Sequence, residues 1–429
     1  MEAKAGLAAD LEGERAAALR RYREVRARTE RLAEPLSPED QAIQSMADVS
    51  PTKWHRAHTS WFFENFLLLP FAPQARPYDP AYLYLFNSYY EGAGARHPRP
   101  ERGLLSRPGA ADIASYRAHI DEAMTGLIGT CSAAIWREVA PLIELGLNHE
   151  EQHQELILMD IKHVLSMNPL QPAYAELPSP VARAVTPLEF VAFGAGLREI
   201  GYGGNAFAFD NEAPRHKAWL DAFRLGSRLT TCREYLSFIE DGGYRRPELW
   251  LSDGWATVQR GGWDAPLYWR HEGGAWTIFT LGGTRALALD EPVCHVSFYE
   301  ADAFARWSGK RLPSEAEWEV AAAETRVPAA GNLMDRGVFH PEPSAHNGGG
   351  LVQMIGDVWE WTSSDFTPWP GFTPMIYRMY SEPFFGGDYK VLRGGSWAVA
   401  PSAIRPSFRN WDHPIRRQIF TGVRLAWDA

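Results

Sequence analysis

Two histidines at helical spacing are the strongest chemical feature of the sequence. His149 and His153 stand four residues apart in a run that continues with apolar residues at helical spacing. Side chains at positions i and i+4 of an α-helix project from one face, about one turn apart, so both imidazoles can bind a single metal ion. Two ligands leave a divalent site incomplete. A third ligand is therefore expected from another element.

A second histidine-bearing helix offers His55 and His58 as candidates for the third ligand. Four apolar residues of this helix define an inward face: Trp54, Ala57, Trp61 and Phe62. That face includes position 58 and leaves position 55 nearer to solvent, so we predict His58 as the ligand. Bundle interiors are common metal sites. Three neutral imidazoles without a carboxylate suit Fe(II), Zn(II) or other ions, and spacing does not select among them.

The run from His149 to His153 also satisfies the zinc-peptidase pattern HExxH. In that alternative, Glu150 is the general base beside a metal-bound water, and the protein is a zinc-dependent hydrolase. This reading leaves the long aromatic second half of the chain without a task.

The elements that must position these residues form a helical region. Apolar residues recur at helical spacing in five segments: 7–32, 38–46, 54–69, 110–125 and 135–167. The first 170 residues therefore predict a helical bundle. Five prolines within 169–187 interrupt any helical period and indicate a linker. We place the boundary near residue 180, which gives domains of 1–180 and 181–429.

The second half has the pattern of an irregular α+β domain. Short apolar runs alternate with glycine-rich turns, and helices are predicted near 231–239 and 297–307, with a weaker one over 314–323. The fold class is therefore a two-domain α+β protein. A length of 429 residues agrees with two domains.

Composition excludes several classes of partner. The formal net charge of −10 argues against nucleic acid and anionic membranes, because the chain lacks the excess of Lys and Arg that such binding needs. The 17 Trp, 16 Tyr and 21 Phe provide rings that often line small-molecule pockets. Residues 1–20 lack the apolar stretch of a secretory signal, and no later run approaches the roughly 18–20 apolar residues of a membrane span, so we expect neither feature. Only three cysteines occur, so we expect a cytoplasmic protein.

Five motifs of the second half resemble the formylglycine-generating-enzyme (sulfatase-modifying-factor) fold, which is C-type-lectin-like. They lie at 200–201, 210–216, 311–319, 356–361 and 392–397. We expect their Glu, Trp and Gly residues to hold loops together by packing and hydrogen bonds, and not to take a direct part in catalysis. Enzymes that make formylglycine rely on paired cysteines late in this domain. No cysteine follows Cys294, so that activity is not expected.

The chain as a whole resembles the ergothioneine-biosynthesis sulfoxide synthases (the EgtB-like family) and the related ovothiol and selenoneine (SenA-like) synthases. The resemblance is carried by 50–54 leading to His58, by HxxxH with Gln152, and by 409–412 and 420–424. It implies a DinB-like four-helix bundle joined to the formylglycine-generating-enzyme-like domain. It also implies Fe(II) at the three histidines, O2 as co-substrate, and C–S or C–Se bond formation on the imidazole of hercynine, the Nα-trimethyl derivative of histidine.

The resemblance also suggests residues that bind hercynine. Gln152, beside a ligand histidine, is expected to hydrogen-bond the imidazole. A trimethylammonium group has no N–H to donate, so aromatic faces hold it best, which favours Trp411 beside Asn410.

The donor side is expected to use charged residues. Asp412 and Arg416 resemble the family's pair for the amino-acid part of the thiol substrate. Arg99 and Arg102 can clamp a carboxylate bidentately.

A tyrosine is expected to supply a proton or an electron, because a phenol can do both. Tyr377 and Tyr380 resemble the catalytic loop of one subgroup, whereas Tyr89 and Tyr90 resemble that of another. We favour Tyr377, with Tyr380 and Tyr90 as alternatives and Tyr89 as a substrate-binding residue.

The family divides by donor into users of γ-glutamylcysteine, of free cysteine and of a selenosugar. This chain departs from the cysteine-using pattern, with Trp411-Asp412 where paired aromatics are common and a distinct stretch at 414–418. Direct use of cysteine is therefore not favoured. A thiol donor and a selenium donor both stay open.

Overall fold

The computed structural model describes residues 2–88, 94–178, 183–327, 330–345 and 350–429, with side chains from residue 11 onward. The chain divides into two compact units, residues 1–174 and 175–429. The division falls inside the proline-rich stretch 169–187 that the sequence indicates as a linker.

The first unit is a four-helix bundle, as predicted. Its helices are α1 (Glu2–Ala33), α2 (Thr52–Phe63), α3 (Leu69–Phe71), α4 (Pro80–Leu85), α5 (Ala110–Thr130) and α6 (Ala133–Met167). Four of them, α1, α2, α5 and α6, form the bundle, in which α1 and α2 each pack against both α5 and α6. A single π-helical segment, Glu64–Leu68, connects α2 to α3.

The helix predicted over 38–46 is wrong, because only a short 3-10 helix, Asp40–Ala42, occurs there. The Ser37 hydroxyl accepts a hydrogen bond from the Asp40 backbone N–H at 3.1 Å, and the Asp40 carboxylate accepts one from the Ser37 N–H at 3.0 Å. Such local side-chain bonds offer the backbone an alternative to a helix.

The helix α6 carries most of the polar chemistry of the bundle. It begins where the Ser132 hydroxyl accepts a hydrogen bond from the Ile135 N–H at 3.3 Å. Between residues 145 and 165 most of its side chains are buried, on every face. A helix buried all round is a core element, so its polar side chains need partners inside the protein.

The second unit is an α+β domain built from four small sheets among the described residues. Its helices are α7 (Cys232–Glu240), α8 (Ser252–Gly261), α9 (Phe298–Trp307) and α10 (Glu315–Glu324). Its strands are β1 (Phe190–Phe193), β2 (Gly196–Ile200), β3 (His216–Leu220), β4 (Phe223–Gly226), β5 (Trp269–Glu272), β6 (Ala275–Thr280), β7 (Gly283–Ala286), β8 (Trp359–Asp365), β9 (Lys390–Arg393), β10 (Asn410–Asp412), β11 (Thr421–Gly422) and β12 (Ala426–Asp428). The sheet orders are β1-β4-β12, β2-β3, β5-β6-β7 and β10-β9-β8-β11.

Three of these helices begin within one residue of their predicted starts, because capping boxes mark them in the sequence. Thr231, Ser297 and Ser314 each accept a hydrogen bond from the N–H three residues later, where a Glu side chain reaches back. The sequence analysis missed α8. Glycines at 254 and 261 weaken its helical pattern.

Buried Arg–Glu pairs hold the loops of the second unit together. Four of these pairs are Arg393–Glu319, Arg405–Glu212, Arg409–Glu315 and Arg424–Glu360. Each of these glutamates belongs to one of the motifs that we expected to hold loops together. The motif residues therefore act in packing, as Glu360 shows by accepting hydrogen bonds from both Arg424 and Trp318.

In the part of the chain that the structure describes, no helix has both the length and the apolar character needed to cross a membrane. All three cysteines are free thiols.

Candidate functional site

Three histidines meet inside the bundle of the first unit. His58 from α2 and His149 and His153 from α6 each place one potential ligand atom within 4.8 Å of the others. Their ring centroids lie 5.0 Å (His58 to His149), 4.8 Å (His58 to His153) and 4.6 Å (His149 to His153) apart. The structure thus brings together the three residues selected from spacing.

Burial keeps the three imidazoles neutral. Loss of solvation lowers the pKa of His149 to about 4 and moves the pKa of His58 and of His153 well below the ordinary value. At neutral pH each ring therefore has a lone pair on one nitrogen, which is what a metal ligand requires.

Hydrogen bonds around the cluster fit a bound metal. The His58 Nδ1 atom lies 2.6 Å from the carbonyl oxygen of Phe86, so Nδ1 carries the proton and Nε2 the lone pair. The His149 Nδ1 atom is buried and has no hydrogen-bond partner among the described residues. A buried nitrogen without a partner is costly unless something else satisfies it. Three neutral nitrogen donors suit Fe(II) or Zn(II).

The sequence analysis expected His55 to lie nearer to solvent than His58, but the structure buries it. It is only 2% exposed and contacts the cluster instead of water. Its Nδ1 lies 2.8 Å from His153 Nδ1, and its Nε2 lies 2.9 Å from Asp160 Oδ2. The face argument failed because all twelve residues of α2 are buried, so the helix has no solvent side.

The position of Glu150 argues against a zinc peptidase. Its carboxylate accepts hydrogen bonds from Thr29 (2.6 Å), Arg117 (2.9 Å) and Arg26 (3.0 Å). Burial would raise the pKa of Glu150, but the two arginines outweigh burial and lower it to about 2. A carboxylate bound by two buried arginines is a poor general base for a metal-bound water. Although the sequence matches HExxH, its glutamate is therefore a buried structural residue and not a catalytic base.

The two arginines proposed for a donor carboxylate differ in environment. Arg99 is exposed, whereas Arg102 is 2% exposed and donates a hydrogen bond to the Ser50 hydroxyl at 2.9 Å. The Arg102 guanidinium also lies 3.4 Å from the centroid of the Trp54 ring. No carboxylate among the described residues is within ion-pair distance of Arg102, and burial together with Arg99 lowers its pKa. Arg102 is thus a buried cation suited to an incoming anion.

Two other candidates in this region are less defined. Gln152 is half-buried on α6, one position before His153. Tyr89 and Tyr90 lie outside the described residues.

Aromatic packing surrounds Trp411 in the second unit. Residues Asn410 to Asp412 form strand β10, where Trp411 is opposite Val391 of β9. The Trp411 ring stacks on Phe366 with centroids 4.2 Å apart and an angle of 8° between the planes. The Tyr380 ring meets it edge-on at 5.5 Å. Asn410 and Trp411 are half-buried, so small molecules can reach these two side chains.

The loop with Tyr377 and Tyr380 is anchored by residues of a structural motif. Tyr380 stacks on Phe209 with centroids 4.2 Å apart, and its ring lies 6.3 Å from that of Tyr377. The Asp210 carboxylate accepts a hydrogen bond from the Ser381 hydroxyl, which in turn accepts one from the Asn211 side chain at 3.0 Å. The motif at 210–216 therefore positions this tyrosine loop.

Asp412 and Arg416 form an ion pair, with 3.4 Å between Arg416 Nε and Asp412 Oδ1. Both side chains are partly exposed, at 26% and 15%. The structure therefore places the two predicted donor-binding residues side by side.

The sequence analysis missed Asp160, although its spacing gave a signal. Asp160 follows His153 by seven residues, which is close to two helical turns, so it lies on the same face of α6. For His55 the signal was weaker, because only the packing around α2 shows where its imidazole lies.

Comparison with known families agrees with this architecture. Residues 174–429 match the family described as the sulfatase-modifying factor enzyme 1-like domain, and residues 21–157 match the DinB superfamily. Fold and site thus define a two-domain protein that joins a DinB-type bundle with a histidine cluster to a sulfatase-modifying-factor-type domain.

Individual relatives narrow the family further. The hercynine oxygenase of Mycobacterium tuberculosis is 38% identical over 426 residues, covering 94% of this chain and 96% of the relative. That of Mycolicibacterium smegmatis is 44% identical over 308 residues, covering 66% of this chain and 71% of the relative. Ergothioneine biosynthesis protein 1 of Neurospora crassa is 24% identical and covers 75% of this chain and 47% of the relative. The chain belongs to the hercynine oxygenase (EgtB-like) family, so the resemblance inferred from the sequence is confirmed.

Proposed function

We propose that this protein is an Fe(II)- and O2-dependent enzyme that oxidises hercynine and joins sulfur or selenium to its imidazole carbon. The observation that carries the proposal is the cluster of His58, His149 and His153, buried and neutral, in a chain of the hercynine oxygenase family. The cluster contains no carboxylate ligand, and the neighbouring Glu150 is engaged elsewhere.

His58, His149 and His153 would hold the metal. Fe(II) bound by them would supply the O2-dependent oxidising chemistry that joins hercynine to a thiol or selenol donor. The bundle excludes bulk water from the ligand side, because His58, His149 and His153 are at most 9% exposed. Water exclusion limits side reactions of an oxidising centre.

Hercynine recognition is assigned to Gln152, Asn410 and Trp411. The Gln152 amide can hydrogen-bond the hercynine imidazole. The half-buried ring of Trp411 offers the trimethylammonium a negative face, and Asn410 adds a polar group beside it. None of these side chains is charged. This suits the trimethylammonium group, which has no N–H to donate to an acceptor and is held instead by aromatic faces.

Replacing Trp411 by Leu is expected to weaken hercynine binding about 10-fold, because a cation–π contact is worth roughly 1–2 kcal/mol when desolvated. Histidine lacks the three methyl groups and should lose much less. The measurement is Kd for both ligands by calorimetry on the Fe(II) protein. Trp411→Phe, which keeps a ring, should lie between the two. An equal loss for hercynine and histidine would argue that Trp411 acts only in packing against Phe366.

Tyr377 is proposed as the proton or electron donor, because Tyr380 already serves in packing against Phe209 and Trp411. Tyr377→Phe should lower kcat by about 100-fold or more with hercynine Kd unchanged, since positioned proton donors contribute about 10²–10⁴. Tyr380→Phe keeps the ring and its packing, so kcat should change less than about threefold. The opposite pattern in single-turnover kinetics would reassign the role to Tyr380.

The donor is proposed to be a cysteine-type thiol or a selenosugar whose anionic or polar groups bind Arg102, Arg99, Asp412 and Arg416. Support comes from Arg102, a buried guanidinium with no carboxylate partner among the described residues. Buried cations of this kind need a counter-charge, and a donor carboxylate would provide one.

The decisive experiment is a donor screen. The protein is loaded with Fe(II) without oxygen, mixed with hercynine and one donor at a time, and exposed to O2. Mass spectrometry reads the adduct formed with γ-glutamylcysteine, cysteine or a selenosugar. The proposal expects an O2-dependent adduct with at least one donor. No adduct with any donor, from protein that retains one Fe(II), would refute it.

A further inference from the structure

A chain of buried hydrogen bonds leads away from the histidine cluster. His153 Nδ1 lies 2.8 Å from His55 Nδ1, and His55 Nε2 lies 2.9 Å from Asp160 Oδ2. The same carboxylate oxygen accepts a hydrogen bond from the Ser50 backbone N–H at 2.7 Å. His153, His55 and Asp160 are at most 9% exposed. Water therefore competes little with these bonds.

The order of groups in this chain decides where the protons lie. A carboxylate only accepts hydrogen bonds, so His55 Nε2 carries the proton that it donates to Asp160. His55 Nδ1 then has a lone pair, which accepts the proton on His153 Nδ1. The remaining nitrogen of His153, Nε2, is left with the lone pair. Nε2 is thus the atom of His153 that can bind a metal.

We propose that Asp160 and His55 are positioning residues that fix the tautomer and the ring orientation of His153 as a metal ligand. A hydrogen-bond acceptor on the far nitrogen of a ligand histidine also makes that imidazole a stronger donor. This inference rests on the proposed metal site and adds the two groups that prepare one ligand.

Ser50 supports the same arrangement. Its backbone N–H holds the Asp160 carboxylate, while its hydroxyl accepts the hydrogen bond from Arg102. Asp160 Oδ2 is therefore held by two hydrogen bonds, from the Ser50 N–H and from His55, before any metal binds. A side chain held in this way is pre-organised for its task.

The main test is the metal affinity of Asp160→Asn. Metal-free protein is titrated with Fe(II) in the absence of oxygen against a chromogenic chelator, and folding is checked by circular dichroism. An asparagine can turn its NH2 group toward His55 and reverse the proton order, so we expect Fe(II) affinity to fall about 10–100-fold. Native affinity in a folded Asp160→Asn protein would overturn the proposal.

Glu64→Gln is the matched control. Glu64 is 1% exposed in the same bundle and accepts hydrogen bonds from Tyr116 (2.5 Å) and from the Tyr78 N–H (2.7 Å). These bonds involve none of the histidines. Its Fe(II) affinity should equal that of the native protein. An equal drop in Glu64→Gln would show that loss of any buried carboxylate disturbs the site, and would overturn the specific role of Asp160.

A double-variant cycle with His55→Gln separates a relay from two independent effects. Groups in one hydrogen-bond chain act together, so the double variant should lose no more affinity than the worse single variant. Losses that multiply would contradict the relay.

Histidine tautomers give a readout in the native protein that needs no metal. In metal-free native protein with 15N-labelled histidine, NMR should find His153 protonated at Nδ1, assigned by the signal missing from His153→Gln. Protonation at Nε2 would overturn the inference. If native protein failed to bind Fe(II) at all, the proposed function would fail instead, so the two failures are distinguishable.

Discussion

His58→Ala is expected to abolish stoichiometric Fe(II) binding and, with it, hercynine oxidation. His58 is one of three nitrogen donors, and its ring is stacked between Trp54 and Trp61 with centroids 4.6 and 5.6 Å away. Loss of a partner behind a ligand already costs about 10–100-fold in metal affinity, so loss of a ligand should exceed that range. The measurement is bound iron per protein after desalting, together with product formation.

His163→Gln is the matched control for this substitution. His163 is also buried in the bundle, at 8% exposure, but its Nδ1 lies 2.7 Å from the Ser45 hydroxyl, away from the cluster. The His163→Gln protein should bind one Fe(II) and retain hercynine oxidation. Native iron content in folded His58→Ala would show that the ligand set is wrong. Unchanged hercynine oxidation in that variant would contradict a catalytic metal at this site.

Glu150→Gln is expected to lower the free energy of unfolding by about 3–5 kcal/mol. The change removes the buried carboxylate that Arg26 and Arg117, each 2% exposed, share, and leaves them only the partly exposed Asp121 and Glu30 as counter-charges. Chemical denaturation followed by circular dichroism measures the loss. Glu144→Gln, on the same helix, removes a partly exposed pair with Arg21 and should cost at most about 1 kcal/mol.

The lowered pKa of Glu150 predicts how the free energy of unfolding depends on pH. The pKa of Glu150 is lowered from 4.5 to about 2 in the folded state, so its contribution is complete above pH 4.5 and is lost as the pH falls toward 2. Glu150→Gln should therefore show a flatter decline of stability in this range. If instead the variant were as stable as the native protein, kept its metal and lost a peptidase activity, the zinc-hydrolase reading would be correct.

Local patterns predicted most of the elements that carry the site. Helical patterns placed α7, α9 and α10 almost to the residue, and in the structure each of them begins at a capping box, in which a hydroxyl and a glutamate three residues apart satisfy the free backbone groups. Patterns failed where competing local bonds or glycines intervened, as at 38–46 and in α8. Helical spacing alone cannot weigh a Ser37–Asp40 interaction against a helix.

The sequence by itself determined the His149–His153 pair, since HxxxH spacing follows from helical geometry, and it offered His55 and His58 as partners on a second helix. Only the tertiary structure decided what surrounds it. Glu150 lies next to His149 in sequence, yet packing turns it toward Arg26 and Arg117. His55 looked exposed, yet packing places it between His153 and Asp160. Spacing fixes direction around one helix, whereas partners come from other helices, whose positions no single segment encodes.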